Sequence, residues 1–295
     1  MKKNLMIGAA SVLVFVIGFG VYVWLQIQKQ DRRVLRVTDV DGVTTEIHEP
    51  LVSRYISGPC SINACPYEDV DGLRIQDSPG AAPEDILWSQ LASVVFAPPE
   101  DNGNEAHPDP VALLTLRDGT TRKASVTSYE LEGVVELADY TVSIGDLKTI
   151  IVAEGGEPPL PQDPGSSEDK FQITEVNGTT LRWEGSPDTA YPTIVEGTSY
   201  HNFSDDAQDG IRLWRGKATF EIKWRNIKEV SVNADKGPDG QPILLVTCVF
   251  ANGQSSAFTV DPAPGPSIRQ QVPGSEQFNE VKLEDIRRIV VNPRP

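Results

Sequence analysis

Basic residues, cysteines and histidines are what this chain has little of. Against 42 Asp and Glu stand 26 Lys and Arg, a formal net charge of −16 over 295 residues. A nucleic-acid binder neutralises phosphates with a basic footprint, and this deficit excludes that class. Three cysteines cannot build a disulfide framework. The histidines, His48, His107 and His201, stand at no zinc-finger spacing. Nucleophile signatures are missing as well: Gly197-Thr198-Ser199-Tyr200-His201 begins like G-x-S-x-G and then fails. Ser167-Glu168-Asp169-Lys170 fits S-x-x-K, but in a Pro- and Gly-rich stretch that cannot preorganise a base. The segment from Gly210 to Lys217 is one residue too long for a phosphate loop, and Ala218 replaces the required hydroxyl.

What is present begins with an apolar run. From Leu5 to Leu25 there is no charge and one hydroxyl, Ser11. As a helix that run spans about 31 Å, one bilayer core. A cleavable leader has a shorter apolar core and a small-x-small end. Here Gln26, Ile27, Gln28, Lys29 and Gln30 follow instead, and no cysteine precedes Cys60 to take a lipid. The sequence therefore predicts a cytoplasmic tail at 1–4, a signal-anchor helix at 5–25 seated in membrane lipid, and a juxtamembrane segment at 26–33. Tyr22 and Trp24 form its interfacial aromatic pair. Lys2 and Lys3 on one side balance Lys29, Arg32 and Arg33 on the other, so basic counts do not orient the span. The short basic tail and an oxidisable cysteine pair favour an extracytoplasmic body, periplasmic or at the cell surface. Beyond Arg33 the chain carries 21 basic and 41 acidic residues, a charge of −20 that anionic head groups repel.

The body is internally repeated. Val34–Gly42 (VLRVTDVDG) matches Lys170–Gly178 (KFQITEVNG), and Asp71-Gly72-Leu73-Arg74-Ile75 matches Asp209-Gly210-Ile211-Arg212-Leu213. Ile86, Trp88, Leu91 and Val94 match Ile222, Trp224, Ile227 and Val230; Asp118-Gly119 matches Asn252-Gly253; Val142, Ile144, Leu147 and Ile150 match Val281, Leu283, Ile286 and Ile289. The offsets are 136, 138, 136, 134 and 139, in one order. Two homologous domains are expected, 34–153 and 170–295, joined by a Pro/Gly/acidic linker at 154–169.

Each domain carries one apolar signature twice, with spacings of two, three, three and two. On a helix its positions fall near 0°, 200°, 140°, 80° and 280°, which is no single face. The spacing instead fits two short strands joined by one 3₁₀-like turn. Asp-Gly and Asn-Gly pairs mark the hairpins between. Each domain is thus expected to be all-β and antiparallel, a sandwich or small barrel made of two similar halves. The hairpin plus strand, turn, strand pattern resembles many small SH3-like and Sm-like barrels, too degenerate a likeness to name a family.

Polar features are few. Cys60 and Cys65 are expected to form a local disulfide, and Cys248 to be a buried thiol in an apolar run. Acidic Gly turns at Asp39–Gly42, Asp69–Gly72, Asp206–Gly210 and Asp235–Gly240 suggest calcium, but none completes a binding loop; hairpin turns favour the same residues. Trp88 and Trp224 sit inside the repeated signature and belong to the core. Trp183 and Trp214 have no aromatic counterpart in the first domain, and with Tyr191, Tyr200 and Phe203 they form a candidate recognition surface. No catalytic, cofactor or metal residues emerge. The expected protein is a non-enzymatic, membrane-anchored accessory or scaffolding subunit that binds other proteins of a membrane complex. An extracytoplasmic receptor or sensor for carbohydrate or calcium is the alternative, and a hydrolase with an unsigned carboxylate pair the third reading.

Overall fold

The computed structural model describes residues 33–55, 67–78, 80–97, 109–154, 169–185, 193–195, 210–237, 240–260, 267–271 and 278–292. The expected span at 5–25 and the Cys60/Cys65 pair lie outside the described residues. Within them, no helix is long and apolar enough to cross a membrane. The first half contains β1 (Arg33–Asp39), β2 (Thr44–Tyr55), β3 (Tyr67–Val70), β4 (Gly72–Gln76), β5 (Glu84–Leu87), β6 (Leu91–Phe96), β7 (Val111–Leu116), β8 (Thr121–Val126), β9 (Glu130–Val135), β10 (Ala138–Ser143) and β11 (Leu147–Glu154). The second contains β12 (Asp169–Glu175), β13 (Thr180–Gly185), β14 (Thr193–Val195), β15 (Gly210–Arg215), β16 (Ala218–Lys223), β17 (Ile227–Lys236), β18 (Pro242–Phe250), β19 (Ser255–Val260), β20 (Ser267–Gln271), β21 (Phe278–Lys282) and β22 (Ile286–Val291). Glu154 and Asp169, expected in the linker, are strand ends, and 155–168 lie outside the described residues.

The repeated signature decides the architecture. All its apolar positions, from Ile86 to Phe96, Val142 to Val152, Ile222 to Val232 and Val281 to Val291, are buried in one continuous core. Three of the four copies carry a 3₁₀ turn between two strands: Ile144–Asp146, Trp224–Asn226 and Leu283–Asp285. In the fourth the same turn is made by Trp88–Gln90, where Leu91 N–H donates to Trp88 C=O at 3.2 Å. Each turn is fastened by a hairpin from elsewhere in the chain. Val40, Arg117, Val176 and Ala251 donate their N–H groups to the carbonyls of Asp146, Gln90, Asp285 and Asn226, all at 2.8–2.9 Å. A short turn with too few internal bonds thus finds its partner in tertiary structure.

These contacts define three equivalent units of five strands and a fourth that is divided between two sheets. Unit I runs β11-β1-β2-β9-β10, unit II β6-β7-β8-β4-β5, and unit IV β17-β18-β19-β15-β16. In unit III β22-β12-β13 pair in the large sheet, and β14-β20-β21 form a separate sheet of three strands. Units I and II join through β11 and β6, with Ile150 opposite Val94, two residues that hold the same place in the signature. Units III and IV join in the same way through β22 and β17, with Ile289 opposite Val230.

The two halves of the chain are not merely tethered. β10 of unit I pairs with β16 of unit IV, placing Asp139, Tyr140 and Thr141 opposite Glu221, Phe220 and Thr219. One 19-stranded antiparallel sheet results, with the units in the row II–I–IV–III. Tyr140 and Phe220 are both buried and meet edge to face, 5.3 Å between ring centres. The turns beside them interlock. Lys217 N–H, in the turn of unit IV, donates to Oδ2 of the buried Asp39 at 2.9 Å, while Asp39 Oδ1 accepts Val43 N–H at 2.8 Å. From the other side Asn226 Nδ2 donates to Leu137 C=O at 2.9 Å, and Ser256 Oγ to Glu136 Oε1 at 3.0 Å. Arg215 lies over Phe220 and Phe258, 4.6 and 5.0 Å from the ring centres. Burial lowers its pKa.

Gly72 and Gly210, both expected in turns, instead open β4 and β15. A Cβ there would overlap the carbonyl oxygens of Ile86 and Ile222 in the paired strand. Gly72→Ala or Gly210→Ala is expected to cost about 1–3 kcal/mol, read as a lower midpoint in chemical denaturation. Asp39→Ala leaves two partly buried N–H groups, of Val43 and Lys217, without their acceptor and is expected to cost about 1–3 kcal/mol as well. With a protease site placed within 155–168, the cleaved parent is expected to elute as one species. In Tyr140→Ser the halves are expected to separate; separation of the parent halves would remove the seam's role.

Candidate interaction face

The alternation that buries Val94 and Ile150 turns their neighbours outward. Val95 on β6 lies opposite Leu113 on β7 and Thr149 on β11, and Ile151 on β11 is diagonal to it, opposite Ser93. Val95, Leu113 and Ile151 are 48%, 47% and 49% exposed. Isolated surface aliphatics are ordinary, but three on adjacent strands of one sheet face form a continuous apolar strip. Basic side chains close it at both ends. Arg36 on β1 lies opposite Ile151, with Glu46 3.6 Å from its guanidinium, and exposed Lys123 on β8 lies opposite Leu113.

The join of units III and IV shows what this face could have been. Ser231, Thr247 and Val290 hold the places of Val95, Leu113 and Ile151 and are only partly exposed. Glu229 and Arg288 replace Ser93 and Thr149 and form an ion pair at 2.6 Å. The Arg288 hydrogen bond holds the Glu229 carboxyl below the usual range, and Glu229 raises Arg288 in return. One join is closed with charge, and the other is left apolar.

Three hairpin turns use their side-chain oxygens locally. Asp118 Oδ1 accepts Thr120 N–H and Oγ1–H at 2.9 and 2.7 Å, and the Thr120 hydroxyl chiefly lowers its pKa. Asn177 and Asn252 accept the N–H groups of Thr179 and Gln254 at 2.7 and 2.9 Å. Asp77 is held by Arg122, which also binds Glu84 at 2.7 Å. Among the described residues no three His, Cys, Asp or Glu side chains gather as a metal site.

Of the expected recognition surface, Trp183 is a core residue of β13, 6% exposed and opposite Phe171, and Trp214 packs against the core from β15. Trp183 turns inward because the hydrophobic face of β13 points to the core, whereas Trp214 is partly buried and lies out of phase with the buried Ile211 and Leu213. Tyr191, Tyr200 and Phe203 lie outside the described residues. Trp88 and Trp224 are fully buried, and Trp88 Nε1 donates to Pro50 C=O at 3.2 Å. Cys248 is buried and free, and burial pushes its thiol far above the ordinary range. The apolar strip had a readable signal that the aromatic content obscured. Val94-Val95, Leu113-Leu114 and Ile150-Ile151 put aliphatics on both faces of strands that elsewhere alternate.

No protein family, characterised protein or solved structure matches this chain.

The Glu229–Arg288 pair sets a pH dependence. A depressed folded-state pKa stabilises above the ordinary glutamate value of 4.5 and fades as pH falls through the lowered value. Largely exposed, the pair contributes roughly a few tenths of a kcal/mol. Denaturation of Glu229→Gln is expected to fall below the parent at about pH 7 and to coincide with it near pH 3. An equal gap at both pH values would exclude the pair as its source.

Proposed function

We propose that this chain is a membrane-anchored, non-enzymatic binding protein, an accessory or scaffolding subunit of a membrane or envelope assembly. In this reading the segment at 5–25 spans the bilayer with the amino terminus in the cytoplasm. Two tandem β domains, 34–153 and 170–295, stand outside it. The observation that carries the reading is the strip of Val95, Leu113 and Ile151. Its burial by a partner removes apolar surface from water at about 25 cal/mol per Å². Arg36 and Lys123 at its ends suit a protein with an apolar stripe and acidic flanks. The seam between units I and IV supports the same role, because a continuous sheet holds the face in fixed relation to the far half of the chain.

Co-purification of the full chain from its native membranes in mild detergent tests this. A second protein is expected with the parent and is expected to be lost at least tenfold with Leu113→Glu, a charge placed in the middle of the strip. The melting temperature of that variant is expected to match the parent, since Leu113 faces solvent. Recovery of the parent free of any other protein, or undiminished recovery with Leu113→Glu, would overturn the reading.

A further inference from the structure

Leu113, Val95 and Ile151 lie on three successive strands, β7, β6 and β11, so the apolar strip runs across the strands and not along one. It covers two strand spacings, about 10 Å. Lys123 on β8 and Arg36 on β1 add one spacing at each end, which sets the basic positions about 19 Å apart. Lys123 is exposed. Arg36 and Glu46 are 61% and 55% exposed, so their contact at 3.6 Å is weak and open to exchange.

Geometry and charge narrow what can cover such a strip. An extended segment laid on a sheet face would bring its own N–H and C=O groups against aliphatic side chains, whereas a helix bonds its backbone internally. A second sheet needs a broad apolar face, and here Ser93, Thr115 and Thr149 stand among the three aliphatics. A second copy of this chain, packed strip on strip, would set basic ends against basic ends. An anionic bilayer is opposed by the charge of −20 beyond Arg33. The equivalent face of units III and IV is closed to the same occupant, which would have to desolvate Glu229 and Arg288.

We infer that the occupant is an amphipathic helix of another protein, lying across β7, β6 and β11; this rests on the reading of the strip as a protein-binding face. On a helix, apolar side chains at i, i+3 or i+4, and i+7 span about 10 Å, the reach from Leu113 to Ile151. One carboxylate beyond each end of that stripe meets Lys123 and Arg36. The two carboxylates stand about 10–13 residues apart, given the helical rise and the reach of the basic side chains.

The test uses the full chain in its native membranes, with Thr115, beside the strip, replaced by the photoreactive benzoylphenylalanine. Irradiation is expected to join it to a segment of a second protein with this stripe and these acids, read by mass spectrometry of the adduct. Lys123→Glu combined with Arg36→Glu is expected to lower the yield of adduct at least tenfold without changing the melting temperature. Lys170→Glu combined with Lys228→Glu, an equal change of charge away from the strip, is expected to leave it unchanged. Irradiation that joins no other protein removes the binding reading and the helix together. An adduct to a segment with aliphatics at every second residue, to a second copy of the chain or to lipid overturns the helix. So does a yield indifferent to Lys123→Glu with Arg36→Glu, or one that falls equally with Lys170→Glu and Lys228→Glu.

Discussion

Backbone pairing between β10 and β16 is the contact on which the rest of the molecule depends. Three residues on each strand make it, too few to hold two bodies together alone. Side chains complete it. Tyr140 and Phe220 add an edge-to-face contact of about 0.5–1.5 kcal/mol beyond their burial. Asp39 is a buried carboxylate and would be costly if unpaired, yet it accepts one N–H from its own hairpin and one from the opposite unit. Gly216 has a positive φ of 61°, and a Cβ there would strike Asp39. The tightest point of the seam is thus built where only glycine fits.

One strand type meets different fates according to a single position. With an aromatic at that position, β10 and β16 bury it and pair. With Glu84 there, β5 has only β4 beside it among the described strands. The same economy governs the outer faces of the two unit joins. Charge closes one through Glu229 and Arg288, and aliphatics leave the other open. Four copies of one scaffold are told apart by a few outward or edge side chains, while the inward signature is kept apolar in all of them.

Much of this was legible along the chain. The spacing of two, three, three and two gave strand, 3₁₀ turn and strand, because an apolar side chain every second residue on a strand must reverse phase across a turn. The Asp-Gly and Asn-Gly pairs located hairpins because few residues tolerate the φ they require. Legibility failed where a residue's meaning depends on distant chain. Trp183 read as a surface aromatic for want of a counterpart, but strand phase turns it inward. Gly72 and Gly210 read as turn residues, but a carbonyl on the neighbouring strand demands them.

The sequence by itself determined the all-β class, the repeated signature, the hairpins and the acidic exterior, since each follows from local periodicity, local φ preference or composition. Tertiary structure alone decided that the halves share one sheet and which strip stays exposed. Those outcomes turn on pairs such as Tyr140 with Phe220 and Asp39 with Lys217, separated by 80 and 178 residues. No local pattern encodes which of four equivalent edges will meet. That choice is made when the strands come together and only one pair can bury its aromatics.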